Sequence, residues 1–145
     1  MKDYKQRTVS EIIQETPQDF FNRLKDIFNF TLDVCALPEN AKCEKFYTQA
    51  DNGLEQKWMG GGVWCNPPYG KNIEAWVKKA SYEIKQDYCN FIVMLIPART
   101  DTKWFHNYVL PYSKIFYIKG RLKFGSNKGS APFPSILAIY FKEFR

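Results

Sequence analysis

Phe91-Ile92-Val93-Met94-Leu95-Ile96 is apolar at every position, so neither alternate set of side chains is suited to water. A run this short and this uniformly apolar predicts a strand covered on both faces, as in a parallel sheet clothed by helices. Pro97-Ala98-Arg99-Thr100 ends it, and Thr100 or Asp101 is expected to cap a helix through Trp104, Phe105 and Tyr108. Upstream, Gly62-Val63-Trp64-Cys65 reads as a second short strand, stopped by Asn66-Pro67-Pro68-Tyr69. Asn72 is expected to cap a helix from Ile73 to about Gln86, with Ile73, Trp76, Val77, Ala80 and Ile84 on its apolar face.

Further out, Thr16-Pro17-Gln18-Asp19 has the order of a helix start: a capping hydroxyl, a proline in the first turn, then an acid. Phe20, Phe21, Leu24, Ile27 and Phe28 follow at helical spacing. Phe30 to Ala36 reads as a buried strand, Pro38 to Cys43 as a short helical turn and Lys45 to Thr48 as a short strand. Lys114 to Lys119 and Ser135 to Phe141 close the chain as two strands. Strands alternating with helices predict an α/β fold, a mostly parallel sheet with helices on both faces. Residues 1–15 are read as an N-terminal arm and 16–145 as a single domain. In such sheets ligands bind beyond the carboxyl ends of the strands. That singles out Asp33-Val34-Cys35-Ala36, Asn66 to Tyr69 and Pro97 to Thr100.

Composition narrows the function classes. The 145 residues are 45% apolar and 17% aromatic, enough for a core with aromatic side chains left over for stacking on a flat ligand. The polar N-terminus has no apolar secretory core, and the longest apolar run is far too short to cross a bilayer. Four widely spaced cysteines and one histidine argue against a zinc site and a disulfide framework, so no metal is expected and the thiols read as reduced, in the cytoplasm. The net charge of +6 suits a polyanionic partner. Lys119, Arg121, Lys123 and Lys128 sit in an acid-free, glycine-containing segment that suits phosphate contact.

Asn66-Pro67-Pro68-Tyr69 carries the chemistry. Two prolines fix the backbone twice and remove two N–H donors, leaving a stiff turn whose carbonyls cannot join a ladder. The Asn66 side-chain oxygen and the Pro67 carbonyl are two acceptors, followed by the Tyr69 ring. That set suits a planar group bearing NH2, such as adenine. Its amino nitrogen is a poor nucleophile until both hydrogens are held and the lone pair is aimed at an electrophilic methyl. Such catalysis is positioning and preorganised electrostatics, without a protein nucleophile or metal. A base inside a duplex must be extruded to reach it. The same logic fits RNA adenine, cytosine N4 or a protein glutamine amide, and a catalytically inactive nucleic-acid-binding relative is the alternative of another class.

From about Thr16 to Phe141 the chain resembles the phage-type DNA N-6-adenine methyltransferase family. The likeness runs through Thr16-Pro17, Phe30 to Ala36, Glu39 to Cys43, Asp51-Asn52-Gly53-Leu54 and Asn66 to Gly70. It continues through Leu95 to Asp101 with Trp104-Phe105-His106, Gly120 to Phe124, and Ala131 to Ser135. The resemblance implies a Rossmann-like methyltransferase sheet ending in an antiparallel strand, S-adenosylmethionine as donor and DNA as partner, in a host cytoplasm if phage-encoded. It assigns Asn66, Pro67, Pro68 and Tyr69 to catalysis. Thr16, Pro17 and Asp33 would face the amino-acid part of the donor, and Cys35, Ala36 and Asn66 would also contact the donor. Asp51 would take its adenine N6, Leu54 would pack on the ring, and Glu39, Asn40 or Glu44 would hold the ribose. Tyr69, Arg99, Arg121, Lys123, Phe124 and Phe133 would contact DNA, with Phe124 or Phe133 as the second wall against the base. His106 has no role in this chemistry and reads as a helix-surface or packing residue. The strand ending at Asp33 lacks the usual Gly-x-Gly loop, so the donor pocket is expected to differ locally. Without a separate target-recognition domain, any sequence readout is expected to be short and to come from loops such as Lys119 to Pro134.

Overall fold

The structure, a computed structural model, describes residues 18–68, 70, 72–122 and 133–142, the first three as backbone only. The expected arm and the helix start at Thr16-Pro17 lie outside the described residues. The apolar run is the middle of β4 (Cys89–Pro97), buried without a break from Ile92 to Pro97. On one side it pairs in parallel with β3 (Gly61–Cys65), and on the other antiparallel with β6 (Ser135–Phe141), from Phe91 opposite Phe141 to Pro97 opposite Ser135. Beyond β3 lie β1 (Leu32–Asp33) and β2 (Lys45–Phe46), both parallel. Beyond β6, β5 (Ser113–Tyr117) forms the far edge, antiparallel to β6. The order is β2-β1-β3-β4-β6-β5.

Helices cover both faces, as the apolar run requires. Paired residues share a face, so Gly62, Trp64, Phe91 and Val93 lie together. Phe21 of α1 (Gln18–Lys25) packs there, its ring 5.1 Å from Trp64 and 5.4 Å from Phe30, with Phe28 5.6 Å from Phe91. On the opposite face α2 (Ile73–Glu83) packs against a π-helical turn (Phe105–Val109). Tyr140, beside Ile92, donates its hydroxyl to the Tyr108 carbonyl of that turn at 2.9 Å. No helix among the described residues is long and apolar enough to cross a membrane.

Several boundaries differ from the sequence reading, each for a local reason. β1 is shorter than Phe30 to Ala36, because the Asp33 carboxylate takes the Cys35 N–H and bends the chain. The turn expected over Pro38 to Cys43 is confined to Pro38 to Asn40; the Asn40 side-chain oxygen accepts the Leu37 N–H, a local bond that competes with continuing the turn. α2 stops at Glu83, short of Gln86, and the chain closes with tighter bonds from Lys85 N–H to the Tyr82 carbonyl and Gln86 N–H to the Glu83 carbonyl. The buried Glu83 carboxylate ties this end down, accepting from Trp58 N–H at 2.7 Å and Tyr88 hydroxyl at 2.9 Å. After β4 the cap is Thr102, whose hydroxyl oxygen accepts the Phe105 N–H, in place of Thr100 or Asp101. β5 starts at Ser113, anchored by its hydroxyl to the Val109 carbonyl, and ends at Tyr117, two residues before Lys119.

Candidate active site

The chain leaves β1 for β2 on one side and returns to β3 on the other. This reversal opens a crevice between the carboxyl ends of β1 and β3, the place where open α/β sheets hold their ligands. A cavity of about 350 Å³ occupies it, within the range of small-molecule sites. Its apolar lining comes from Val34 after β1, Leu54, Pro68 after β3 and Trp76 of α2. Thr48, Gln49, Asn52 and Asn72 bring hydroxyl and amide groups, and Cys35 and Gly53 complete it.

Its lining on the β2 side is shaped by a few specific hydrogen bonds. Asn52 adopts left-handed backbone at φ 56° and accepts the Leu54 N–H, starting a 3₁₀ turn over Gly53–Glu55. The Gly53 carbonyl takes the indole N–H of the fully buried Trp58 at 2.9 Å, and Trp58 stacks on Trp76 at 6.3 Å. A Cβ on Gly53 would lie 2.2 Å from the Val34 carbonyl oxygen, so only glycine lets this turn close against β1.

Asp33 sits beneath this site, 2% exposed. One carboxylate oxygen accepts the Cys35 N–H at 3.2 Å and the other the Lys42 N–H at 3.0 Å, clamping the loop between β1 and β2. Burial pushes the carboxyl up to about 6, against the pull of the two N–H groups and of Lys42. A native value above the unfolded 3.8 gives stability that is full below 3.8 and lost as pH rises through about 6. Asp33→Asn is therefore expected to flatten the fall in melting temperature between pH 4 and 7; the shift corresponds to about 3 kcal/mol. Thermal scans across that window check this, and an unchanged pH slope would contradict it. Burial also pushes the Cys35 and Cys65 thiols up and Cys43 to about 12, so these sulfurs stay protonated and offer no thiolate nucleophile.

At the end of β3 the chain runs into Asn66, 2% exposed, and then Pro67 and Pro68, both buried. Cys65 is the last paired residue of β3, opposite Met94. Extending the β1–β3 register, in which Asp33 faces Trp64, brings Cys35 level with Asn66. The acceptor-rich turn thus stands next to the cavity, and Pro68 forms part of its wall.

The DNA N-6-adenine-methyltransferase (Dam) family model matches residues 6–143. The chain belongs to this family. It is 33% identical over 116 residues to the DNA N-6-adenine-methyltransferase of Haemophilus phage HP1, covering 78% of this chain and 66% of that protein. It is 36% identical over 109 residues to the DNA N-6-adenine-methyltransferase of Escherichia phage T1, covering 74% of this chain and 44% of that one. The chain thus spans between about half and two thirds of the relatives it matches. A Pyrococcus horikoshii protein described as a candidate RNA methyltransferase superposes with a TM-score of 0.57 over 98% of this chain and 92% of its own, at 15% identity. That likeness fixes the fold as the Rossmann-like one of methyltransferases.

In this Dam-family chain the residues expected at the donor separate by place. Cys35 and Leu54 line the cavity, as does Pro68 of the turn expected to be catalytic. Asp33 and Ala36 are buried behind it, and Asn66 sits beside it. Asp51 does not line it: one of its oxygens takes both the backbone N–H and the hydroxyl of Thr48, closing the turn, and the next residue, Asn52, reaches the cavity instead. Asn40 is half-buried in the loop after β1, with its amide nitrogen buried and without a hydrogen-bond partner, whereas Glu39 and Glu44 are exposed. Asn72 does not cap α2 with its side chain; it lines the cavity. Of the residues expected at DNA, the Arg99 guanidinium lies over the buried Phe133 ring at 5.5 Å, so these two act on each other, and Arg121 is exposed. Thr16, Pro17, Tyr69, Lys123 and Phe124 lie outside the described residues. His106 is exposed on the helix surface, with its ring nitrogen 2.7 Å from the Thr100 carbonyl oxygen. Thr48, Gln49, Asn52, Gly53, Asn72 and Trp76 escaped sequence reasoning as site residues; the strand-end rule, applied to β2 and to the turn after β3, was the signal that could have found them.

Proposed function

We propose that the chain transfers a methyl group from S-adenosylmethionine to the N6 amino group of an adenine extruded from DNA. The observation that carries this reading is Asn66-Pro67-Pro68, buried at the end of β3 beside the cavity at the strand reversal. Family membership and the phage relatives' names support DNA adenine as the substrate. The residues present fit the donor. Leu54 and Pro68 offer apolar surface to a purine, and Thr48, Gln49, Asn52 and Asn72 offer partners to its polar edges. The Asn40 amide nitrogen, buried without an acceptor, would be satisfied by a ribose hydroxyl. When bound, S-adenosylmethionine supplies a methyl group activated on a sulfonium.

The chain's own part is positional. The Asn66 side-chain oxygen and the Pro67 carbonyl accept the two N6 hydrogens and concentrate the lone pair on nitrogen. With the donor bound, the aimed N6 lone pair would take the methyl from sulfur, and the N6 proton released would pass to solvent. Pro67 and Pro68 hold the acceptors in place, so little reorganisation is left for the reaction itself.

The test is methyl transfer with purified protein, labelled S-adenosylmethionine and unmethylated DNA, the product digested to nucleosides and identified by mass. N6-methyldeoxyadenosine as the labelled product is the expected result. Label in cytosine, or in RNA or protein only, would overturn the reading.

A further inference from the structure

The entire excess of positive charge lies in one stretch. Residues 103–142 carry seven lysines and arginines and no acid, whereas residues 1–102 carry thirteen basic and fourteen acidic side chains. The described part of that stretch builds the far side of the sheet, and β5 is its outer edge, paired among the described residues with β6 alone. There Tyr117 is 81% and Phe116 42% exposed, with the Lys114 ammonium 5.4 Å from the Phe116 ring and exposed Lys119 and Arg121 immediately beyond. The strand register places this edge relative to Asn66. Tyr117 faces Ile136, which faces Ile96; Asn66 continues from Cys65 opposite Met94, to the level of Leu95. Tyr117 therefore stands at nearly the same height as Asn66, three strand spacings away, or about 14 Å. At 3.4 Å per step along a strand of DNA, this is about four base pairs.

We propose that the β5 edge is a DNA-backbone surface distinct from the target-base site. Lys119 and Arg121, next to Tyr117, pair with phosphates about four base pairs from the target adenine, and Lys114, three residues further down the strand opposite Ile139, pairs with the backbone beyond them. Tyr117 lays its ring on the sugar there and donates its hydroxyl to a phosphate. This rests on the DNA-methylating reading above. The surface binds without reading sequence, and its contribution is electrostatic and salt-sensitive.

The test measures duplex binding over a range of salt for the wild-type chain, Lys114→Ala/Lys119→Ala and Tyr117→Ala. The double variant is expected to bind about tenfold more weakly on every sequence, with a log–log salt slope shallower by about 2. Donor affinity should hold, and the loss in turnover should appear in KM for DNA. Lys114→Arg/Lys119→Arg should recover binding, which excludes a folding defect. Duplexes ending two base pairs from the target should erase the difference between wild type and variants. Equal affinity and salt slope in all proteins would overturn the proposal. So would a dimer that dissociates on Tyr117→Ala, because the edge would then be covered by a second copy. A wild-type chain that binds donor but neither binds nor methylates DNA would instead overturn the functional reading.

Discussion

Asn66→Ala is expected to slow methyl transfer by a factor of about 100 to 1,000 at saturating donor and DNA, the range seen when one preorganised hydrogen-bonding group is removed from a reacting centre. In the proposed reaction Asn66 offers one of two acceptors for the N6 hydrogens, and alanine offers none. The remaining Pro67 carbonyl can hold one hydrogen, so the amino group is neither fixed nor aimed. Because Asn66 is 2% exposed, the substitution also removes a buried polar group, at a cost of about 1–3 kcal/mol to the fold. Single-turnover rates, donor affinity by calorimetry and the melting temperature, taken together, separate the two effects. A rate loss far larger than any change in donor affinity is the expected result. A single-turnover rate equal to wild type in a folded variant would remove Asn66 from the chemistry.

Gly53→Ala is expected to cost about 1–3 kcal/mol of stability and to weaken donor binding more than tenfold. The added methyl would sit 2.2 Å from the Val34 carbonyl oxygen and 3.2 Å from the Trp76 ring. The carbonyl is backbone and cannot swing aside, so the 3₁₀ turn must pull away from β1. Val34, Gly53 and Trp76 all line the cavity, so the movement that relieves the clash also reshapes the site. Donor titration at a temperature where the variant is folded checks the binding loss independently of the lower melting temperature. Wild-type affinity would show that the donor does not use this wall.

What the sequence reveals divides along the sheet. β6 is found at Ser135–Phe141, where its pattern puts it, and the centre of β4 is legible because continuous burial leaves continuous apolarity. The reading weakens toward β1 and β2, where hydrogen bonds of side chains to the backbone decide the path. Asp33 and Asn40 each redirect a few residues, and apolar periodicity does not record such bonds. The acceptor turn at Asn66 was legible because two consecutive prolines have a local meaning. Asn52, Gln49 and Thr48 were not, because each is an ordinary polar loop residue until the strand reversal gathers them. In the stretch Asp51 to Leu54, Asn52, Gly53 and Leu54 line the cavity, and one Asp51 carboxylate oxygen holds the turn before them.

The unequal strands have an energetic consequence. β4 and β6 share seven paired positions, whereas β1 and β2 share two. Cooperativity is therefore uneven. The side that carries the proposed substrate edge is a tightly zipped unit, and the side that holds the cavity hangs on a few bonds and on the Asp33 clamp. Segments of this kind open at free energies well below that of the whole domain. A ligand that fits only the closed form draws that equilibrium toward closure by mass action. Part of its binding energy is then spent completing the fold of the half that receives it, so saturation with ligand makes the two halves more nearly one.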